Sequence, residues 1–291
     1  MFTVADTLTT NNIVSVIIPT KNSASTLKTC LKSVKNQTYK PIEVVVIDNY
    51  STDNTGEIAQ QFADIFELKG PERSAQRNYG VSVANGKYVA IIDSDMKLAQ
   101  DVIQQAVNAI QQADVHGVVI PEESYGKGFW AQCKKLERSF YVGVPYMEAA
   151  RFFRKSTFEK LGGYDEKMIS GEDWHFSQKV SKLGNLSRTE AFIYHNEGKI
   201  SLLKTISKKY YYARNFSDYH SKSTSKTDVA NQTSILKRYW LFLSSPVKLF
   251  RNPLLGIGML FMKTCEFAFG AVGYVSAYLS SRVSKVYKPK G

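Results

Sequence analysis

Residues 87–95 read KYVAIIDSD: a short apolar run, rich in β-branched and aromatic side chains, that stops on Asp93, Ser94 and Asp95. Apolar character at consecutive positions, rather than at alternate ones, predicts a strand buried on both faces. IVSVII (13–18) and IEVVVI (42–47) have the same character upstream, and HGVVIP (116–121) predicts a fourth such strand downstream. Helical spacing fills the gaps. Leu27, Cys30, Leu31 and Val34 follow Ser23 and Ser25, either of which can cap a helix; Ile58, Ala59 and Phe62 predict a helix over 55–66. Further helices are expected over 74–85, ending at Gly86, and over 100–113. Strands alternating with helices of this length predict an α/β domain with a mostly parallel, Rossmann-like sheet flanked by helices.

In such sheets ligands gather outside the carboxyl ends of the strands. Three polar loops fall at those ends: PTKN (19–22), DNYSTD (48–53) and DSD (93–95). Two aspartates ending a buried strand repel one another and call for a cation or for donors. Oxygen ligands of this kind suit Mg2+ or Mn2+ bound together with a substrate phosphate; a solvated strand-end turn is the plainer reading. Lys97 adds no ligand while charged. Asp48 and Asn49, with Ser51 and Asp53, are hydrogen-bonding groups for a ribose or a base, and equally good turn formers. Arg73 and Arg77 are candidates for reaching a diphosphate. Glu172 and Asp173 begin a helix as caps or as a positioned general base. His195, closing the strand AFIYH (191–195), is a third metal ligand or a satisfied histidine.

The rest of the chain has a different character. A helix is expected over 128–141, another over 200–220, and a polar linker over 223–234. The formal charge of +12 is unevenly placed: residues 1–198 carry 22 Lys+Arg against 23 Asp+Glu, and residues 199–291 carry 16 against three. A basic region meets nucleic acid or a lipid surface. The apolar runs LLGIGMLFM (254–262) and FAFGAVGYVSAYLSS (267–281) within it favour the membrane and disfavour nucleic acid. Residues 253–281 are long enough for one crossing, yet Lys263 and Glu266 lie mid-segment, where charges are costly unless they pair at i,i+3. A single span and an in-plane or re-entrant hairpin both stay open. The expected division is therefore 1–222, a linker at 223–234, and a basic, apolar helical region at 235–291. Three well-separated cysteines (Cys30, Cys133, Cys265) fit a reducing compartment. The opening MFTVADTLTTNN shows no secretory signal.

Taken together, VSVIIPTKN, VVVIDNYSTDNT, SAQRNYGVSVANGKYVAIIDSD, GGYDE and GEDWHF resemble the family 2 glycosyltransferases, in order and spacing over residues 13–220. The resemblance implies the GT-A fold and inverting transfer from a UDP- or GDP-sugar. Carried over position by position, it implies that Pro19, Thr20, Asp48 and Asn49 line the nucleoside pocket, with Asn22, Ser94 and Arg77 also on the donor. Asp93 and Asp95 would form the D-x-D motif with Asp95 the better ligand for Mn2+ or Mg2+, and Asp173 of Glu172-Asp173 would be the base. Asn49, where many relatives have a second aspartate, departs from the pattern, as does Lys97. The basic, apolar end is similar to members that work on the cytoplasmic face of a membrane with lipid-linked acceptors such as polyprenyl phosphates. A transferase acting on a soluble glycan and a non-catalytic nucleotide-sugar or lipid binder are the alternatives. A nucleotidyltransferase is disfavoured because PTKNSAS (19–25) has no glycine.

Overall fold

The computed structural model describes residues 12–286, so the opening segment read for a secretory signal lies outside it. In chain order the elements are β1 (Val14–Thr20), α1 (Ala24–Lys35), β2 (Ile42–Asp48), α2 (Thr55–Gln60), β3 (Ile65–Leu68), α3 (Arg73–Val83), β4 (Tyr88–Ile91), β5 (Met96–Leu98), α4 (Val102–Ile110), β6 (Val115–Val119), β7 (Glu122–Lys127) and α5 (Phe129–Ser139). There follow β8 (Ala150–Arg154), α6 (Lys155–Lys160), α7 (Glu172–Val180), β9 (Asn185–Arg188), β10 (Ile193–Lys199), α8 (Leu202–Arg214), α9 (Ser217–Lys222), α10 (Lys226–Thr233), α11 (Ile235–Leu243), α12 (Pro246–Phe250) and α13 (Pro253–Val286).

Seven strands form one sheet in the order β3-β2-β1-β4-β8-β6-β9. β1, β2, β3 and β4 run parallel, as do β6 and β9, while β8 is antiparallel to both β4 and β6. Every residue of β1 and β4 is buried, as expected of strands covered on both faces. Helix α1 buries Leu27, Cys30, Leu31 and Val34 on one face of the sheet. Its start is held by the loop after β2: Asp53 accepts from the Ala24 amide at 3.2 Å and Thr55 from the Ser23 amide at 2.7 Å, in place of a serine cap. On the other face α3 comes so close that a Cβ on Gly80 would sit 2.4 Å from Ile17 Cγ2, so only glycine fits there. The register sets Thr20 beside Asp48, and the Ile92 amide continues the β1–β4 ladder, which puts the ends of three strands on one sheet edge.

The helix expected over 55–66 stops at Gln60, and Ile65–Leu68 is the edge strand β3, two of whose four residues are exposed. The helix expected over 200–220 is broken into α8 and α9.

The chain forms two compact units: one of residues up to Ser124, Tyr141–Lys167 and Glu172–Asn196, the other of Tyr125–Phe140, Met168–Gly171 and Glu197 onward. The seven-stranded sheet belongs to the first. The second is built on helices, with α13 against α5 and α8. Its boundary at 196/197 precedes the expected one at 222. The expected linker 223–234 contains a helix, α10, capped by Ser225 on the Asp228 amide, and its Val229 and Gln232 are buried, Gln232 accepting from the Tyr219 hydroxyl at 2.7 Å. α13 is one continuous helix, so the re-entrant hairpin is overturned. Lys263 and Glu266 do pair, at 2.6 Å, and are buried with Lys134 and Glu137 of α5, which satisfy the charges inside the unit. On the same helix Gly258 lies against Phe129 and Cys133 of α5, and Gly273 against Tyr210 of α8.

Candidate active site

The first loop cluster is a knot of hydrogen bonds, buried at Thr20 and Asp48 and opening to solvent at Asn22. Asp48 Oδ1 accepts from Thr20 at 2.8 Å and from the Ser51 hydroxyl at 2.6 Å, while Oδ2 accepts from the Ser51 amide at 2.7 Å. Asn22, in the left-handed region at φ 48°, accepts from the Thr52 amide at 2.9 Å. The Asn49 side chain donates to the Pro71 carbonyl at 2.6 Å. Gln76, which the sequence did not suggest, donates to the carbonyls of Thr20 and Ile47 and ties α3 to both strand ends. Pro19, Thr20, Asn22, Asp48 and Asn49 are thus brought together at one strand edge, a rigid polar cradle. Ser94 joins it by donating to Ser23 at 2.9 Å.

Beside this cradle lies an ion-pair cluster. Arg77, 2% exposed, donates from Nη2 to Asp93 at 2.6 Å and from Nη1 to Glu172 at 3.1 Å, and it stacks on Tyr164 at 5.3 Å. Arg151 of β8 donates to Glu122 of β7 from Nε at 2.8 Å, with Nη1 3.6 Å from the second Asp93 oxygen. Burial alone would push the Asp93 carboxyl up; the guanidinium of Arg77, then those of Arg151 and Arg73, outweigh it and hold it below the usual carboxylate range. Glu172 goes the other way: burial and then the neighbouring Asp173 raise it, and Arg77 and Arg73 offset this only in part. Two expectations are revised by this geometry. Arg77 is turned inward, holding two carboxylates together rather than reaching out to a diphosphate. Asp93 has an arginine at each oxygen, so of the D-x-D pair Asp95 is the one left for a cation.

Asp95 meets His195 across 100 residues of sequence. The antiparallel pairing of β10 with β5 sets His195 opposite Met96, and the Asn196 amide donates to the Asp95 carbonyl at 2.8 Å. As a result His195 Nε2 lies 3.1 Å from Asp95 Oδ2, and Nδ1 lies 3.8 Å from Glu122 Oε2. Asp95 Oδ1 is buried without a hydrogen-bond partner, an expensive arrangement unless something electropositive completes it. Among the described residues no group of three or more metal-ligating side chains occurs. The Asp95 carboxylate is the kind of oxygen ligand that Mn2+ or Mg2+ takes, and the His195 imidazole beside it is a nitrogen donor that would suit a transition-metal ion better than Mg2+. The charges agree: five carboxylates (Asp93, Asp95, Glu122, Glu172, Asp173) surround three arginines (Arg73, Arg77, Arg151), leaving a net formal charge of about −2 for a cation to offset.

Asp173 sits in the first turn of α7, its Oδ1 accepting from the Trp174 amide at 2.8 Å. The Glu172–Arg77–Asp93 chain of ion pairs fixes this turn relative to the D-x-D motif. Arg151 and Glu122 were not legible as site residues, because a charged residue on a short strand reads as solvent-facing.

Residues 15–169 match the family described as Glycosyl transferase family 2. The chain is 32% identical over 116 residues to glycosyltransferase GlyG of Streptococcus pneumoniae, a match covering 38% of each protein. It is 39% identical over 101 residues to the cholesterol galactosyltransferase of Borreliella burgdorferi, covering 33% of this chain and 28% of that one. The chain thus spans well under half the length of these relatives. Among solved structures, mannosyltransferase PcManGT from Pyrobaculum calidifontis, in complex with GDP-Man and Mn2+, superposes with a TM-score of 0.60 at 17% identity, covering 91% of this chain and 86% of that one. That likeness is one of fold, the GT-A arrangement of a mostly parallel sheet. With a family match over more than half of its length, laid on the strands that carry the polar cradle and the D-x-D motif, the chain belongs to Glycosyl transferase family 2.

Proposed function

We propose that the protein is a metal-dependent, inverting glycosyltransferase that moves a sugar from a UDP- or GDP-sugar to an acceptor presented at a membrane, a polyprenyl phosphate or a lipid-linked glycan. The observation that carries this reading is one cluster in which Arg77 ties Asp93 to Glu172, next to Asp173, while Arg151 and Glu122 lead from Asp93 to His195 and Asp95, with excess negative charge and an unsatisfied Asp95 oxygen.

Thr20, Asp48 and Asn49 hold the nucleoside, with Pro19, Asn22 and Ser94 shaping the cradle. Asp95 and His195 hold the divalent ion, which when bound neutralises charge on the leaving nucleoside diphosphate. Asp173 takes the proton of the acceptor hydroxyl as its oxygen bonds to the anomeric carbon and the bond from that carbon to the phosphate oxygen breaks; the nucleoside diphosphate departs with the electron pair. Arg77 and Glu172 are positioning residues that hold the Asp173 turn. With a lipid phosphate as acceptor no strong base is required, and Asp173 orients the nucleophile instead.

Membrane action is supported by the second unit, whose exposed surface is basic and apolar, and by the similarity to a transferase named for a sterol acceptor. The free cysteines fit the cytoplasmic face. The test compares Asp173→Asn with the parent on hydroxyl and phosphate acceptors. Turnover on the hydroxyl should fall by about 10²–10⁴-fold with donor affinity kept. Full activity on every acceptor removes Asp173 from the mechanism.

A further inference from the structure

The second unit carries a cleft of about 890 Å³ where α11, α12 and the start of α13 meet, lined by Ser244, Ser245, Lys248, Arg251 and Asn252 with Leu136, Val247 and Leu255 as apolar wall. No acidic residue lines it, and the sequence from 229 to 265 contains five cations and no acid. Lys248 is anchored at the rim: its ammonium donates to the Ser139 carbonyl at 2.8 Å and lies 4.7 Å from the Phe140 ring centre. Ser244 donates to the Leu241 carbonyl and Asn252 Oδ1 accepts from the Leu255 amide, so the donors lining the cleft are Lys248, Arg251, the Ser245 hydroxyl and the Asn252 NH2 group, a set that recognises a phosphate monoanion or diester.

The surroundings say where that phosphate comes from. Leu236, Trp240, Val247, Leu254, Ile257 and Phe261 are each at least half exposed, far more than the scattered apolar residues of an ordinary surface. On α13 the exposed apolar stripe continues through Val272, Val275 and Leu279, so from Leu254 it runs about 37 Å at 1.5 Å per residue. The opposite face of the same helix is taken up by α5 and α8 and carries the buried Lys263–Glu266–Lys134–Glu137 cluster. Pro253–Ala277 is long and apolar enough to cross a bilayer, but the helices packed against it, α5 and α8, are rich in lysine and polar residues, which favours a helix lying along an interface over one that spans it.

We propose that the α11–α12–α13 face docks in the plane of an anionic bilayer, with the Lys248–Arg251 cleft seating a lipid headgroup phosphate and the flanking apolar side chains entering the acyl boundary. This rests on the membrane-acting reading above and names its partner, an anionic phospholipid.

The full chain is floated with phosphatidylcholine vesicles, with and without phosphatidylglycerol, and its Mn2+-dependent binding of UDP and GDP is measured by calorimetry. The parent should bind the anionic vesicles strongly and be released by alkaline carbonate. Lys248→Gln/Arg251→Gln should lose about 25-fold on anionic vesicles, roughly fivefold for each surface charge removed. Trp240→Ser/Val247→Ser should weaken binding to both vesicle types. Nucleotide binding should stay unchanged in both variants. Equal binding of the charge variant and the parent overturns the headgroup cleft. Retention through carbonate overturns in-plane docking in favour of a span. Displacement from vesicles by inorganic phosphate at physiological concentration assigns the cleft to free phosphate and overturns the lipid assignment. Absence of vesicle binding with nucleotide binding intact overturns docking alone and turns the face towards a protein partner. Vesicle binding without any nucleotide binding instead overturns the transferase reading.

Discussion

Arg77 is the residue on which the candidate site is strung, and replacing it with glutamine tests that arrangement. The guanidinium is buried and bridges Asp93 at 2.6 Å and Glu172 at 3.1 Å. Breaking a buried ion pair from one side typically costs about 3–5 kcal/mol, because a charge is left uncompensated in the interior. Here two carboxylates are orphaned together, but each keeps a weaker partner: Asp93 has Arg151 at 3.6 Å, and Glu172 has the half-exposed Arg73 at 3.3 Å. Those substitutes place the expected loss near the lower bound, about 3 kcal/mol. At about 2–4 °C per kcal/mol for a chain of this size, the melting temperature should drop by about 6–12 °C. Arg77→Lys should recover only part of this, since one ammonium cannot span both carboxylates as a planar fork does. Adding Asp93→Asn to Arg77→Gln removes one of the stranded charges, so the double variant should be more stable than the sum of the singles requires. The assay is thermal unfolding followed by circular dichroism across this double-mutant cycle. A shift under about 2 °C for Arg77→Gln, or strict additivity, would refute the ion-pair account of the site.

Two further outcomes follow from the same cluster. Glu122 stands 3.8 Å from His195 Nδ1 and is itself held by Arg151, so Glu122→Gln should weaken Mn2+ binding by about 10–100-fold, read by electron paramagnetic resonance without any sugar donor; unchanged affinity would show that Glu122 does not orient the imidazole. The carboxyls of Asp93 and, in the second unit, Glu137 are both held below their ordinary range, each by cations that outweigh the effect of burial. For groups with a depressed folded pKa the contribution to stability is present above the unfolded value and is lost as pH falls through the folded one. Urea midpoints should therefore hold from neutrality down to about pH 4 and then fall steeply, and a curve flat to pH 2 would contradict those ion pairs.

How much of this was legible in the residues depended on the range over which each feature is specified. β1, β2 and β4 are predominantly apolar runs, broken only by Ser15 in β1 and Glu43 in β2 before their polar ends, and a run covered on both faces admits few other readings. β3 is four residues long with Glu67 and Leu68 exposed, and its pairing with β2 is a long-range fact that a helical spacing at Ile58, Ala59 and Phe62 concealed. α10 has the composition of a linker; its helix is held by Ser225 at one end and by Tyr219 against Gln232, neither of which a polar stretch announces. In the site, Asp93 and Asp95 stood out because acids at a buried strand end carry a local cost, and Glu172 and Asp173 because paired acids mark a helix start. The strand expected to end on His195 runs on as β10 to Lys199, so His195 lies inside it and reaches Asp95 only through the register of β10 on β5, and the capture of Asp93 by two arginines followed only from β8 entering the sheet beside β4.

The role proposed for Asp95 and His195 is to hold the divalent ion that would accompany the donor diphosphate. It is tested most directly by titrating Mn2+ into the full chain, with and without UDP or GDP, under electron paramagnetic resonance, for the parent, Asp95→Asn and His195→Ala. The parent should bind one Mn2+ that tightens with nucleotide, and both variants should lose that site while melting within a few degrees of the parent. A parent-like Mn2+ site in Asp95→Asn would contradict the account.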